Sequence, residues 1–285
     1  MKIRFTKMQG CGNDYVYING FTEKLEPEEK PAFVRMVSDR HFGIGSDGAI
    51  FINPSDQADF EMEMYNADGS RAEMCGNGIR CVAKYVHDRG MTDREQFTIV
   101  SGGQVKAMEL TVEDGKTRAV RVDMGEPVLE AARVPVLCKK ERAVDEPVTA
   151  AGREWRMTCV SMGNPHAVIF VEDTEHFPLE QVGPCFETLE RFPNRTNTEF
   201  VKVLSPDRVR MRVWERGAGE TLACGTGCCA TAVACVLTGR TGRRVTVEVL
   251  GGELLIEWDE RTGHVFMTGP AEFVFDGEIE LSKNS

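Results

Sequence analysis

The strongest constraint on this chain is that it matches itself. At an offset of 149 residues, Cys75-Gly-Asn-Gly78 falls on Cys224-Gly-Thr-Gly227 and Gly102-Gly103 on Gly251-Gly252. At the same offset Met62 falls on Met211, Asn66 on Glu215, and Phe60-Glu-Met-Glu-Met-Tyr65 on Val209-Arg-Met-Arg-Val-Trp214. An offset of 151 sets Gly12-Asn13 on Gly163-Asn164. Identity is sparse, but the order and the near-constant spacing hold together, so the chain reads as one unit of about 140 residues made twice.

Each half repeats one local grammar. An alternating apolar and charged segment reads as a half-buried strand. A polar turn follows, Asn66-Ala-Asp-Gly-Ser70 or Arg216-Gly-Ala-Gly-Glu220. Cys-Gly-x-Gly then opens a proline-free run, Ile79–Val86 or Cys228–Leu237, that suits a helix. The second run has almost no polar face, which predicts a buried helix. Strand-like Phe97–Val100 and Val245–Val249 follow, each leading to a Gly-Gly pair. The expectation is an α+β protein of two β-rich domains, each wrapped around a central helix with a cysteine at its start. The stretch from Glu126 to Gly152, with Pro127, Pro135 and Pro147, reads as the boundary region.

Cysteine at a helix start has a chemical meaning. The first N–H groups of a helix lack internal partners, and the dipole there favours negative charge. That predicts a lowered thiol pKa at Cys75 and Cys224. The glycines let backbone N–H groups approach an anion such as a substrate carboxylate. Two thiols from two pseudo-symmetric domains suit racemisation, which removes a proton from one face of a carbon and returns one to the other. It needs one thiolate and one thiol on opposite sides, as an interdomain cleft would provide.

Composition sets limits. The chain has 285 residues, a net charge of −11 and ten cysteines. The acidic balance argues against nucleic acid or an anionic membrane as partner. No apolar run approaches the roughly 20 residues of a membrane span, and the first residues lack the apolar core of a signal peptide. Cys75 and Cys81 lie six apart and Cys224 and Cys228 four apart, spacings that leave a zinc tetrahedron unclosed. Reduced thiols in a cytoplasmic protein, with no metal, are expected.

The longer motifs resemble diaminopimelate epimerases over nearly the whole chain. They are Gly10-Cys-Gly-Asn-Asp-Tyr-Val16, Tyr65-Asn-Ala-Asp-Gly-Ser70, Met74-Cys-Gly-Asn-Gly78, Met162-Gly-Asn-Pro-His-Ala-Val168, Arg195-Thr-Asn-Thr-Glu-Phe-Val201 and Trp214–Gly227. The resemblance implies two half-barrels of mixed or antiparallel sheet, each around its helix, with the active site in the interdomain cleft. The domains would be 1–123 with a C-terminal return over about 271–285, carrying Cys75, and 124–270, carrying Cys224. It implies cofactor-independent interconversion of LL- and meso-diaminopimelate, for lysine and peptidoglycan precursors. Cys224 would accept the proton and Cys75 donate one in the LL-to-meso direction. Gly76, Asn77, Gly225 and Thr226 would cradle the reacting carboxylate. Asn13, Asn66, Asn164, Asn197, Glu215 and Arg216 would hold the remote end, and His166 and Glu215 would tune the thiols. A homodimer is compatible with this family. Some members carry a substrate-side glutamine where this chain has Gly48, which cannot make that contact by side chain.

Cys11, Cys81, Cys138, Cys159, Cys185, Cys228, Cys229 and Cys235 match no family role and read as structural. Two alternatives remain. A proline or hydroxyproline racemase also pairs thiols across a cleft, but its first motif typically reads Cys-Gly-His-Gly. A redox protein would use Cys75 and Cys224 as a switchable dithiol, with a potential near the cell's poise.

Overall fold

The computed structural model describes residues 2–72 and 75–281; Met74 of the Met74–Gly78 motif lies outside them. The chain divides into two compact units, Met1–Val122 with Gly269–Ser285, and Asp123–Thr268.

The first unit contains β1 (Lys2–Gly10), β2 (Asn13–Asn19), α1 (Lys30–Ser38), β3 (Gly48–Asn53), β4 (Phe60–Asn66), β5 (Arg71–Ala72), α2 (Gly76–Asp88), β6 (Gln96–Ser101), β7 (Gln104–Glu113) and β8 (Lys116–Gly125). The second contains β9 (Glu146–Ala150), β10 (Arg153–Ser161), β11 (Pro165–Phe170), α3 (Leu179–Glu187), β12 (Asn197–Ser205), β13 (Arg208–Glu215), β14 (Gly219–Thr221), α4 (Gly225–Leu237), β15 (Arg244–Val249), β16 (Gly252–Trp258) and β17 (Val265–Gly269). The last strand, β18 (Glu272–Glu280), returns to the first unit and pairs antiparallel with β1.

The pairing repeats strand for strand. β1–β2 and β10–β11 are antiparallel, β2–β3 and β11–β12 parallel, β3–β4 and β12–β13 antiparallel. After each helix, β6 returns parallel to β4, and β15 parallel to β13. β18 flanks β1 as β9 flanks β10. The duplication is therefore structural, with its first strand supplied from the chain's far end.

The central strands of each unit are buried on both sides. In β2, Val16 and Ile18 join Phe33, Val34 and Val37 of α1 in one cluster. Tyr17, on the alternate face, reaches back to α2, its hydroxyl 3.4 Å from the Gly78 carbonyl. In the second unit Met157, Ile169 and Phe200 pack with Leu179, Val182 and Phe186 of α3. Helices α2 and α4 lie against the other face and are buried over nearly all their length.

Three sequence expectations are corrected. The glycines of Cys-Gly-x-Gly form the first turn of each helix instead of preceding it. The Gly-Gly pairs are not structurally equivalent. Gly102-Gly103 form the turn between paired Ser101 and Gln104, whereas the matching turn, between Val249 and Gly252, is Leu250-Gly251. One residue fewer separates α4 from β15 than α2 from β6, which shifts the offset to 148 beyond the helices. The proline-bearing stretch is not the boundary itself: it follows the division at Val122 and Asp123, and Ala131, Val134, Val136 and Ala143 are buried in the second unit's core.

Gly48 answers to a close backbone approach. A Cβ there would stand 2.0 Å from the Tyr65 carbonyl oxygen and 3.0 Å from the Tyr15 ring. Gly48→Gln should therefore part β3 from β4 and lower stability by about 1–3 kcal/mol. Urea unfolding checks this, and an unchanged midpoint would contradict the tight approach.

Candidate active site

Cys75 and Cys224 are the N-cap residues of α2 and α4, with nearly the same backbone: φ −132° and ψ 111° for Cys75, φ −118° and ψ 106° for Cys224. An extended cap followed by small residues lets the first helical N–H groups face the sulfur. The Gly78 N–H donates to Cys75 Sγ at 3.3 Å, whereas the Cys224 side chain makes no capping hydrogen bond and the Gly227 N–H only lowers its pKa weakly. Space at these positions is tight. A Cβ on Gly78 would stand 2.7 Å from Ile50, and one on Gly227 would stand 2.7 Å from Glu199 Oε1.

Around Cys75 the partners are mostly uncharged. Its thiol donates to Asn13 Oδ1 at 3.1 Å, and Asn13 Nδ2 donates to Asp47 Oδ2 at 2.7 Å. Asp47 is in turn held by Arg40 at 2.9 Å and by the Asp14 N–H at 3.1 Å. The buried Tyr15 hydroxyl bonds with Cys75 and Asn13, and burial holds it protonated well above the usual phenol range. Gly76 and Asn77 form the buried first turn of α2. Asn66 stands apart at the exposed end of β4, where its side chain donates to Ser70 Oγ at 3.1 Å.

Around Cys224 the partners are ionisable. Burial first, then the Glu215 and Glu199 carboxylates, push this thiol well above its ordinary pKa, against the weaker pull of Thr226 and the Gly227 N–H. The helix start is thus outweighed, and the lowered pKa expected for Cys224 is corrected. Burial also raises Glu215, against hydrogen bonds from the Thr221 hydroxyl and the Cys224 thiol. Thr226 Oγ1 lies 3.5 Å from Cys224 Sγ, and Gly225 opens α4.

The remaining predicted residues form one connected group in the second unit. His166, fully buried on β11, is 2.7 Å from Glu199 Oε1 by Nδ1 and 3.0 Å from Asn164 Oδ1 by Nε2. Asn197 donates to the Pro165 carbonyl at 2.8 Å and accepts from the Arg216 N–H at 2.9 Å, so it pins the loop that carries Arg216. The exposed Arg216 guanidinium donates to the Asn194 carbonyl at 2.9 Å. Glu187 secures the same loop by accepting from Gly217 N–H and Trp214 Nε1, both at 2.7 Å.

Tyr15, Asp47, Glu187 and Glu199 carry no role in the sequence reading. Tyr15 and Glu199 lie inside quoted motifs. For Glu199 the signal was spacing, since residues 197 and 199 of one strand share a face.

A model of the family described as diaminopimelate epimerase matches residues 5–130 and 158–274. A diaminopimelate epimerase of Methanococcus maripaludis is 56% identical over 98% of this chain and all of its own length. One from Agathobacter rectalis is 58% identical over the same shares. The chain belongs to the diaminopimelate epimerase family. Among solved structures, a hydroxyproline epimerase from Agrobacterium vitis matches with TM-score 0.74 at 15% identity, covering 99% of this chain and 94% of that one. A PhzF-family phenazine biosynthesis protein of Bacillus anthracis matches with TM-score 0.73 at 14% identity, covering 99% and 100%. At such identities the likeness is one of fold.

For this epimerase-family chain the thiols dictate a pH dependence. Burial holds Cys11, Cys159 and Cys224 above the ordinary thiol range, and pushes Cys81 and Cys235 up to about 12. The unfolded chain releases these protons near pH 8.5 while the native chain keeps them. Native stability is therefore full below about pH 8.5 and falls above it, by up to about 1.4 kcal/mol per thiol per pH unit. Urea midpoints in reductant at pH 7.5 and 9.5 check this; equal midpoints would contradict it.

Proposed function

We propose that the protein is an isomerase that epimerises LL-2,6-diaminopimelate to meso-diaminopimelate with two thiols and no cofactor. The observation that carries the reading is the N-cap cysteine built twice with nearly one backbone geometry, in a chain of this family. The chemistry requires the two sulfurs to reach opposite faces of one α-carbon.

In the LL-to-meso direction Cys224 takes the α-proton and Cys75 supplies another. Cys224 must first become a thiolate, and the neighbouring Glu215 carboxylate is placed to receive that proton. Burial raises both groups, which draws Glu215 toward holding a proton and keeps the Cys224 thiol protonated at rest. Cys75 keeps its proton oriented on Asn13. N–H groups at Gly76, Asn77, Gly225 and Thr226 offer fixed donors to the carboxylate as negative charge builds on the carbanion. Arg216, on a loop pinned by Asn197 and Glu187, is the bidentate partner for the distal carboxylate. Asn13, Asn66 and Asn164 add neutral donors and acceptors.

On this reading the product serves lysine and peptidoglycan precursor synthesis. Ten free cysteines fit a reducing cytoplasm. Among the described residues no helix is long and apolar enough to cross a membrane.

The reading is tested with purified protein in reductant, without pyridoxal phosphate or metal, in deuterated water. LL-diaminopimelate should yield the meso isomer with deuterium at the α-carbon, while proline and glutamate keep their α-protium. Exchange on proline with none on diaminopimelate would favour the racemase alternative. Cys75→Ala and Cys224→Ala should each lower turnover by about 10²–10⁴-fold or more with the circular dichroism spectrum unchanged. Retained turnover in either would mean that a single base suffices.

A further inference from the structure

Glu199 is a fully buried carboxylate that the two-thiol chemistry leaves unused. It lies on β12 two residues beyond Asn197, in the strand that runs parallel beside His166. Oε1 is 2.7 Å from His166 Nδ1, and His166 Nε2 is 3.0 Å from Asn164 Oδ1. Both ring nitrogens therefore face oxygen acceptors. A ring that donates at both nitrogens carries two protons and a positive charge. A cation with no exposed surface needs a counter-charge, and Glu199 is the carboxylate in hydrogen-bond reach. Its other oxygen, Oε2, is buried with no hydrogen-bond partner among the described residues. The pair sits beside Cys224 and Gly227, with Glu215 of β13 and Cys159 of β10 as the other titratable neighbours.

We propose that Glu199 is a positioning residue that holds His166 as a double donor, so that His166 clamps Asn164 Oδ1 and leaves the Asn164 NH₂ to face a carboxylate of the bound amino acid. The chain Glu199–His166–Asn164 thus converts a buried charge into the orientation of one amide. With the charge gone, the ring keeps one proton and can donate at one nitrogen. That proton can sit on either nitrogen, so Asn164 Oδ1 is no longer held and its amide is free to turn an oxygen toward a carboxylate that needs a donor.

The activity arm of the test rests on the epimerase reading; the spectroscopic arm does not. Full-length reduced protein labelled with ¹⁵N-histidine is observed by NMR at pH 7.5, with the His166 signal assigned from its loss in His166→Gln. The wild-type ring should show two protonated nitrogens. In Glu199→Gln, which keeps the shape, it should show one, and kcat/KM for LL-diaminopimelate should fall about 10–100-fold, chiefly through KM. A singly protonated His166 in the wild type overturns the proposal, whether or not the variant folds and whatever the substrate is. An unchanged ring and unchanged kcat/KM in Glu199→Gln overturn it as well.

Discussion

The arrangement depends on a sulfur accepting the N–H groups of a buried helix start. Burying a helix leaves its first amide groups without water, and they must find acceptors within the protein or its ligand. At Cys75 the thiol takes the Gly78 N–H, and the remaining donors of Gly76 and Asn77 stand in the same turn. A side chain at Gly78 or Gly227 would collide with Ile50 or Glu199, each 2.7 Å from the added Cβ. The sheets around α2 and α4, with α1 and α3 on their outer faces, hold those helix starts dry and fixed.

Backbone symmetry does not extend to the electrostatics. Cys75 is bounded by an asparagine and a tyrosine hydroxyl, whereas Cys224 is bounded by Glu215, by Glu199 and by His166 across the Glu199 carboxylate. A thiol beside a carboxylate can give its proton away and take it back; one beside neutral groups keeps it oriented. Two-base epimerisation asks for that division of labour, with one group entering as base and the other as acid. Duplication supplies two equivalent frames, and divergence of their linings supplies the roles.

Much of this was legible in the sequence, because the repeat carries its own periodicities. The alternation in Phe60–Tyr65 and Val209–Trp214 marked β4 and β13, and the apolar run at Cys228–Leu237 marked α4 as buried. Other features arise from tertiary sums that no local pattern records. The pKa of Cys224 depends on burial and on two carboxylates distant in sequence, so its direction was misjudged from the helix start alone. The pairing of β18 with β1 joins residues some 270 apart, with no local signal. A shortening by one residue between α4 and β15 misaligned the glycine pairs. The sequence assigns Glu199 no role; its burial and its His166 partner on the neighbouring strand come from the pairing of β11 with β12.

The central claim is that two thiols act on opposite faces of one carbon. It is tested most directly by a single turnover of protiated LL-diaminopimelate on enzyme equilibrated in deuterated water. The account predicts that the first meso product carries deuterium at the inverted carbon while the remaining LL substrate keeps its protium. Protium retained in the meso product, or deuterium entering both isomers together, would show one base serving both faces and would contradict it.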